Sequence, residues 1–142
     1  LLVLVEGVKQ VPFPTVPRAP ASFASLPGPL LVLPTNWKDD ELAMLWSTDN
    51  FVPLVNGSSG FFPQGLLHTQ DVVKTFPDAA SVQYLRGLGV RTVLVLRQPY
   101  AMLADGPPEG SGVPVHALTA SVDGLGITRE DQPDAVIYHL VS

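Results

Sequence analysis

Cysteine is absent from this chain of 142 residues. Its absence excludes disulfides, thiolate catalysis and cysteine-ligated zinc, and it leaves the redox compartment undetermined. The chain is nevertheless long enough to bury a core of its own. We therefore expect a single domain that covers residues 1–142.

Charged residues are scarce and make up 15% of the sequence, against the roughly 25% that is usual in soluble domains. The 8 Lys and Arg residues are outnumbered by 13 Asp and Glu residues, which gives a net charge of -5. No basic stripe occurs, so nucleic acid is excluded as a partner, because proteins bind its phosphates through clustered positive charge. So little charge beside 46% apolar residues indicates that a partner or a membrane-proximal neighbour covers part of the surface.

Long apolar runs are missing as well. The leading run, LLVLVEGV at residues 1–8, is too short to cross a bilayer, which takes about 20 residues. It lacks a charged leader, so we do not expect it to be a signal peptide. Its apolar character predicts a strand that is buried on both faces. Because the chain starts inside such a run, we expect it to be a piece of a longer protein.

The 15 prolines and 12 glycines divide the rest of the chain into short elements. A proline-rich connector at residues 11–29 is predicted to be extended, to lie on the domain through Phe13, Phe23 and Leu26, and to include a helical turn at 22–26. Helices are predicted at 66–76 and 78–88, and a Pro/Gly loop at 106–112. Strands are predicted at 30–33, 42–47 (with a helical turn at 41–45 as the alternative), 51–55, 90–96, 113–122 and 135–141.

The clearest local pattern lies at residues 78–96. Asp78 suits a helix start, and apolar residues then recur at every third position along one face. Gly89 stands where a left-handed residue ends a helix, and a β-branched run follows it. Such a helix–glycine–strand unit is typical of layered α/β domains. The predicted fold class is therefore α/β, with a mixed sheet of five or six strands and two or three helices.

The candidate binding site is the loop of Asn56, Gly57, Ser58, Ser59 and Gly60, which lies between two apolar segments. Asn and Gly tolerate positive φ, so we predict an ordered turn in which Asn56 bonds local backbone and one of the next two residues, Phe61 or Phe62, anchors the loop. The serine spacing departs from the G-x-S-x-G nucleophile elbow, and no Lys-Ser or Lys-Thr follows the glycines as in a phosphate-binding loop. The first three residues also match the N-glycosylation sequon, a pattern that often arises by chance.

No other constellation indicates catalysis, and neither a catalytic residue nor a cofactor is predicted. His68, His116 and His139 lack ligand spacing and neighbouring carboxylates, so no metal site is predicted either. The acidic run at residues 39–41 is interpreted as a solvated loop. The aromatic residues are interpreted as core, with Trp46, Phe51 and Phe61 as its main members. A carbohydrate-binding surface is the alternative for the whole aromatic set, which is Trp37, Trp46, Phe51, Phe61, Phe62 and Tyr100.

Three segments carry a resemblance to a known class of protein. They are PLLVLPTNW at 29–37, MLWSTDNFVPLVNGSSGFFP at 44–63 and FPDAASVQYLRGLGVRTVLVLR at 76–97. Together they resemble the C-terminal extramembrane domain of bacterial polytopic membrane proteins that are similar to glycosyltransferases of lipid-linked sugars. Within the loop, the positions that match this pattern are Asn56, Gly57, Ser59, Gly60 and Pro63.

The resemblance implies that the catalytic carboxylates lie in a membrane part of the same polypeptide and not in this chain. We therefore expect a non-catalytic, membrane-associated domain on the extracytoplasmic side, which packs on the membrane part and helps to shape a substrate cleft. Its expected partners are that membrane domain and a glycan or lipid-linked sugar. Two alternatives stay open: a carbohydrate-binding or protein-interaction module, and a small serine hydrolase that uses Ser58 or Ser59.

Overall fold

The fold is α/β, and it is built around one mixed sheet. The computed structural model describes residues 15–58, 60, 63–99 and 115–140. These ranges hold four strands and four α-helices, whereas the sequence predicted five or six strands and two or three helices. The elements are β1 (Leu30–Leu33), α1 (Trp37–Ser47), α2 (Gln64–Val72), α3 (Ala79–Gly87), β2 (Thr92–Leu96), α4 (Val115–Thr119), β3 (Thr128–Asp131) and β4 (Ala135–His139), with 3-10 turns at Phe23–Ser25 and Val73–Thr75.

The strand order in the sheet is β1-β2-β4-β3. β1 runs parallel to β2, whereas β4 runs antiparallel to both β2 and β3. Every residue of β1 and β2 is buried, which explains why both strands read as continuous apolar runs rather than as alternating ones. Because β1 and β2 are parallel, their carboxyl ends lie at the same edge of the sheet.

Two apolar clusters cover the two faces of the sheet. The odd-numbered residues of β1, Leu31 and Leu33, pack with side chains from α3 and α4, whereas the even-numbered Leu30 and Val32 pack with α1 and the first 3-10 turn. This division follows from the pleat, which points successive side chains to opposite faces. Helices therefore cover both faces, and α1 occupies one of them together with the proline-rich connector.

The helix–glycine–strand unit is confirmed. The Asp78 side chain accepts a hydrogen bond from the Ser81 backbone N–H, and the Ser81 hydroxyl accepts one from the Asp78 N–H, which makes a capping box at the start of α3. Gly89 has φ +79° directly after the helix. Val93 and Val95 lie in β2, between β1 and β4. Local signals were sufficient here because the cap, the helix and the turn are contiguous in the chain.

Gly89→Val is expected to lower the free energy of unfolding by about 1 kcal/mol or more, because a β-branched residue is strained at positive φ. The space around Gly89 is open, so backbone conformation alone would be responsible. Gly87→Ala is the matched control, since Gly87 ends α3 without positive φ and also faces open space. Denaturant unfolding of both variants checks the prediction, and equal stabilities would contradict it.

Several predicted elements were wrong. Residues 42–47 belong to helix α1 rather than to a strand, in agreement with the alternative of a helical turn at 41–45. Residues 115–119 form α4 inside the predicted strand at 113–122. Strand β3 was missed because its sequence, TRED, is polar and mostly exposed at the sheet edge. The strand predicted at 51–55 is reduced to a single bridge, between Leu54 and Leu30. The predicted strand at residues 1–8 and the loop at 106–112 lie outside the described residues.

Candidate functional site

The candidate loop begins at the free edge of β1. Before the loop, the chain pairs once with this strand: the Leu30 N–H donates to the Pro53 carbonyl at 2.8 Å, and the Val55 N–H donates to the Leu30 carbonyl at 2.9 Å. If this parallel pairing continued, the backbone groups on either side of Asn56 would form hydrogen bonds with the N–H and the C=O of Val32. The loop backbone does not make these two bonds.

The side-chain amide of Asn56 makes them instead. Its Oδ1 accepts from the Val32 N–H at 2.6 Å, and its Nδ2 donates to the Val32 carbonyl at 2.8 Å. The side chain thereby takes the place of the next peptide group of an edge strand, and it satisfies two backbone groups that are buried. The sequence predicted that Asn56 bonds local backbone. That expectation was wrong, because the partner lies 24 residues earlier in the chain.

The second hydrogen of the Asn56 amide goes to Asp40 on helix α1. Asn56 Nδ2 lies 2.7 Å from Asp40 Oδ1, and both residues are buried. The other carboxylate oxygen, Oδ2, accepts from the Thr35 hydroxyl at 3.0 Å, and Gln70 Nε2 donates to that hydroxyl at 3.2 Å. One polar network thus joins β1, α1, α2 and the loop.

Burial raises the pKa of Asp40 to about 6. Hydrogen bonds from Asn56 and Thr35 oppose this rise because they favour the carboxylate, and the neighbouring charge of Asp39 adds to it. The network accepts either protonation state, since a protonated Oδ2 can donate to the Thr35 oxygen instead of accepting from it. The charge of this buried carboxyl group therefore changes near neutral pH without loss of a hydrogen-bond partner.

The first turn of α1 explains how two acidic residues come to be buried. Asn36 caps the helix by accepting from the N–H groups of Lys38 and Asp39, and its own amide donates to Asp39 Oδ2 at 2.6 Å. Negative charge is favourable at a helix N-terminus. The interpretation of residues 39–41 as a solvated loop was wrong, because they lie in α1 and Asp39 and Asp40 are buried.

The remaining loop residues lie against α1. Gly57 and Ser58 are half-buried, Gly60 is exposed, and neither glycine adopts positive φ. The Ser58 N–H donates to the sulfur of Met44 at 3.2 Å, and its hydroxyl lies 3.5 Å from Glu41 Oε1. Ser59, Phe61 and Phe62 lie outside the described residues, so the anchoring role predicted for the two phenylalanines stays a prediction.

Helix α1 buries three apolar side chains together with two carboxyl groups, and it also leaves large apolar side chains exposed. Trp37, Glu41, Met44 and Leu45 follow helical spacing along one stripe, and three of these four side chains are large, apolar and exposed. Phe51 follows shortly after the helix, is 83% exposed and has φ +53°. We call Trp37, Met44, Leu45 and Phe51 the α1 surface. Phe51 was predicted to fill the core and does not, whereas Trp46 is buried as predicted.

The three histidines lie on three different elements, α2, α4 and β4. His68 stacks edge-on against Tyr84, His116 is exposed on α4, and His139 lies 3.9 Å from Glu130. Among the described residues, no cluster of three or more His, Asp or Glu side chains is arranged to hold a metal ion. In the same ranges, no helix combines the length and the apolar character that crossing a membrane requires.

Comparison with protein-family models, with curated proteins and with solved structures found no match to this chain.

The sequence reasoning missed the partners of Asn56, which are the Val32 backbone and the Asp40 carboxylate. It also missed Thr35 and Gln70, which extend the network from Asp40. One signal for the helix was present: Asn36 is followed three residues later by Asp39, which is a pattern of helix N-termini. This cap predicts that the run at 39–41 lies at the start of a helix. No local signal links Asn56 to this helix, because only the tertiary fold brings the two together.

Proposed function

We propose that this chain is a non-catalytic extracytoplasmic domain of a bacterial membrane glycosyltransferase-like protein. In this proposal the α1 surface and the adjoining loop pack on the membrane part of the same polypeptide and help to shape its substrate cleft. The proposal combines the sequence resemblance with one structural observation, which is the set of large apolar side chains that helix α1 leaves exposed.

The exposed apolar side chains of α1 carry the proposal. A surface helix normally buries its apolar stripe and exposes its charged residues. Helix α1 does bury apolar residues, namely Leu42, Ala43 and Trp46, but Asp39 and Asp40 are buried with them. Trp37 and Leu45 are each 50% exposed. Exposed apolar residues that are neighbours on one helix stripe are typical of surfaces that contact another protein. A membrane part of the same polypeptide is the occupant that the resemblance implies, and a contact of this kind needs little charge.

Phe51 adds a second argument for a partner on this side. A bulky residue at positive φ is strained by roughly 1–3 kcal/mol, and an exposed phenyl ring gains nothing from burial in return. The Phe51 N–H donates to the Ser47 carbonyl at 2.6 Å, so the backbone conformation is that of a left-handed residue just after a helix. That bond accounts for the backbone but not for the exposed ring. Contact with a partner would bury the ring and recover about 1.5–3 kcal/mol.

A structural role for the loop supports the absence of catalysis. The two hydrogens of the Asn56 amide go to the Val32 carbonyl and to Asp40, and its oxygen accepts from the Val32 N–H. The side chain therefore has no donor left for a substrate. In the part of the chain that the structure describes, Ser58 makes no hydrogen bond with a histidine, and its contact with Glu41 is long. A serine nucleophile needs an adjacent base that is itself held in position.

Cysteine labelling tests the proposal directly, because this chain contains no cysteine of its own. Leu45→Cys is expected to react with a membrane-impermeant maleimide in the isolated chain but to be protected in the full-length protein, since the α1 surface would be covered there. Leu88→Cys is the matched control: Leu88 lies at the end of α3 and is 48% exposed, against 50% for Leu45. This cysteine should react both in the isolated chain and in the full-length protein. Its labelling in intact cells would indicate that the domain lies on the extracytoplasmic side.

Equal labelling of the two cysteines in a cysteine-free full-length background would contradict packing through α1. Labelling of Leu88→Cys only after the cells are permeabilised would contradict the extracytoplasmic location.

The hydrolase alternative has a separate test. Hydrolysis of activated esters by the isolated chain that disappears in Ser58→Ala or Ser59→Ala would establish it, and we expect no such activity.

A further inference from the structure

A second surface feature lies at the carboxyl end of β2 and involves none of the residues of the polar network. It is a groove of about 450 Å³ between the proline-rich connector, helix α1 and the turn from β3 to β4. Its apolar walls include Pro17, Leu42 and Trp46, and its polar groups are Arg18, Arg97, Gln98 and Asp134. In open α/β sheets, ligands bind in crevices outside the carboxyl ends of the strands, and small-molecule sites have volumes of about 300–1,000 Å³.

Arg97 is held in position within this groove. Its Nε donates to the Gln132 carbonyl at 2.9 Å, and its Nη2 donates to Asp131 Oδ1 at 2.8 Å. These bonds occupy one edge of the planar guanidinium group, and within the described ranges its Nη1 has no acceptor. Asp131 also accepts from Arg129 at 2.8 Å, so one carboxylate is shared by two guanidinium groups. The lining of the groove itself contains two arginines, Arg18 and Arg97, against one aspartate, Asp134, in a chain whose net charge is -5.

Arg18 adds a second guanidinium group from the connector. Its side chain is exposed and forms no hydrogen bond or ion pair with another described residue. The connector that carries it is itself anchored, because the indole N–H of Trp46 donates to the Pro17 carbonyl at 2.9 Å. The groove thus combines a guanidinium group held by hydrogen bonds with one that is free to bind, and both lie beside an apolar wall.

We infer that this groove binds a sugar-sized ligand that carries an oxyanion, either a phosphate or a carboxylate group. Guanidinium groups bind both oxyanions through paired N–H donors. Gln98 and Asp134 supply acceptors for hydroxyl groups, and the walls of Pro17, Leu42 and Trp46 suit the C–H face of a ring. The groove is larger than a lone oxyanion needs, so the ring contributes to binding. This inference does not depend on the proposed function, since it concerns a different surface.

Titration of the isolated chain with glucose 1-phosphate, glucuronate, inorganic phosphate and glucose tests the inference, with backbone amide chemical shifts as the readout. At least one of the two charged sugars is expected to bind with a millimolar dissociation constant and to shift the amides of Leu96, Gln98 and Asp134. The tighter of the two identifies phosphate or carboxylate as the preferred group. Glucose should bind more weakly because it lacks the charge, and inorganic phosphate should bind more weakly because it lacks the ring.

Arg18→Gln is expected to weaken binding of the charged sugar about fivefold to tenfold, because a charge-assisted hydrogen bond is lost. The variant should fold normally, since the Arg18 side chain supports no other described group. Arg91→Gln is the matched control: Arg91 is exposed and precedes β2, at the opposite end of the strand from the groove. Equal affinity of Arg18→Gln and the parent chain would overturn the inference. So would equal binding of glucose and the charged sugars, equal binding of inorganic phosphate and the sugar phosphate, or the absence of shifts at the groove.

Discussion

Asn56→Leu is expected to lower the free energy of unfolding by about 3 to 5 kcal/mol, since each buried polar group that loses its partner costs about 1–3 kcal/mol. The substitution leaves the N–H and C=O of Val32 unpaired, and it removes one of the two donors that Asp40 accepts from. Leucine is close to asparagine in shape and fills the site, so water cannot replace the lost bonds. Denaturant unfolding with linear extrapolation measures the loss.

Asn50→Ala is the matched control for this prediction. Asn50 also bonds a distant backbone carbonyl, that of Ala24 at 2.6 Å, but it does so at an exposed position. Its removal should therefore cost less than about 1 kcal/mol, because water can satisfy the carbonyl. If Asn56→Leu were no less stable than Asn50→Ala, the edge-strand role of the Asn56 amide would be wrong.

Asp40 is expected to make the protein less stable as the pH rises from 4 to 7. Burial raises the folded-state pKa of this carboxyl group from 3.8 to about 6. A group whose pKa is higher in the folded state stabilises fully below its unfolded pKa, and that contribution is lost as the pH rises through the folded pKa. The shift corresponds to roughly 2 to 3 kcal/mol, which should be lost between about pH 4 and pH 7.

The variant Asp40→Asn isolates this contribution. An amide at this position can still accept from Asn56 and can donate to the Thr35 oxygen, so the network stays paired. We expect the variant to be more stable than the parent chain at pH 7, and the difference should shrink toward pH 4. Urea unfolding at several pH values measures both curves.

Asp71→Asn is the control for the pH experiment, because Asp71 is an exposed carboxylate whose pKa is lowered by its hydrogen bond and ion pair with Lys74. Its contribution has the opposite sign: it is present above the unfolded pKa and is lost as the pH falls. The downward slope between pH 4 and 7 should therefore persist in this variant. A pH-independent difference between Asp40→Asn and the parent chain would show that Asp40 does not titrate in this window.

The two experiments separate the roles of Asn56 and Asp40 in the same network. Asn56 holds the edge of β1 at every pH, because neither its side-chain amide nor the backbone of Val32 titrates. Asp40 links that edge to α1 with a strength that depends on its charge. The loop is therefore held at the edge of β1 by two hydrogen bonds that do not depend on pH. Its attachment to helix α1 is expected to vary with pH.

Helix α1 shows why part of the fold was not predictable from sequence. Periodicity identifies a helix when the buried side is apolar and the exposed side is polar. In α1 the buried side includes Asp39 and Asp40 and the exposed side includes Trp37 and Leu45, so the usual signal is absent. Strand β3 failed for a related reason, since an exposed edge strand such as TRED needs no apolar residues.

The sequence by itself determined the elements whose signals are contiguous: the helix start at Asp78, the helix that follows, Gly89 at positive φ, and the buried strands β1 and β2. Each depends on propensities that act within a few residues. The tertiary structure alone decided the role of the candidate loop, because the partners of Asn56 lie 16 and 24 residues away. A side-chain amide can replace a peptide group at a strand edge only where the fold leaves that edge unpaired and buried, and no local pattern in the sequence records this.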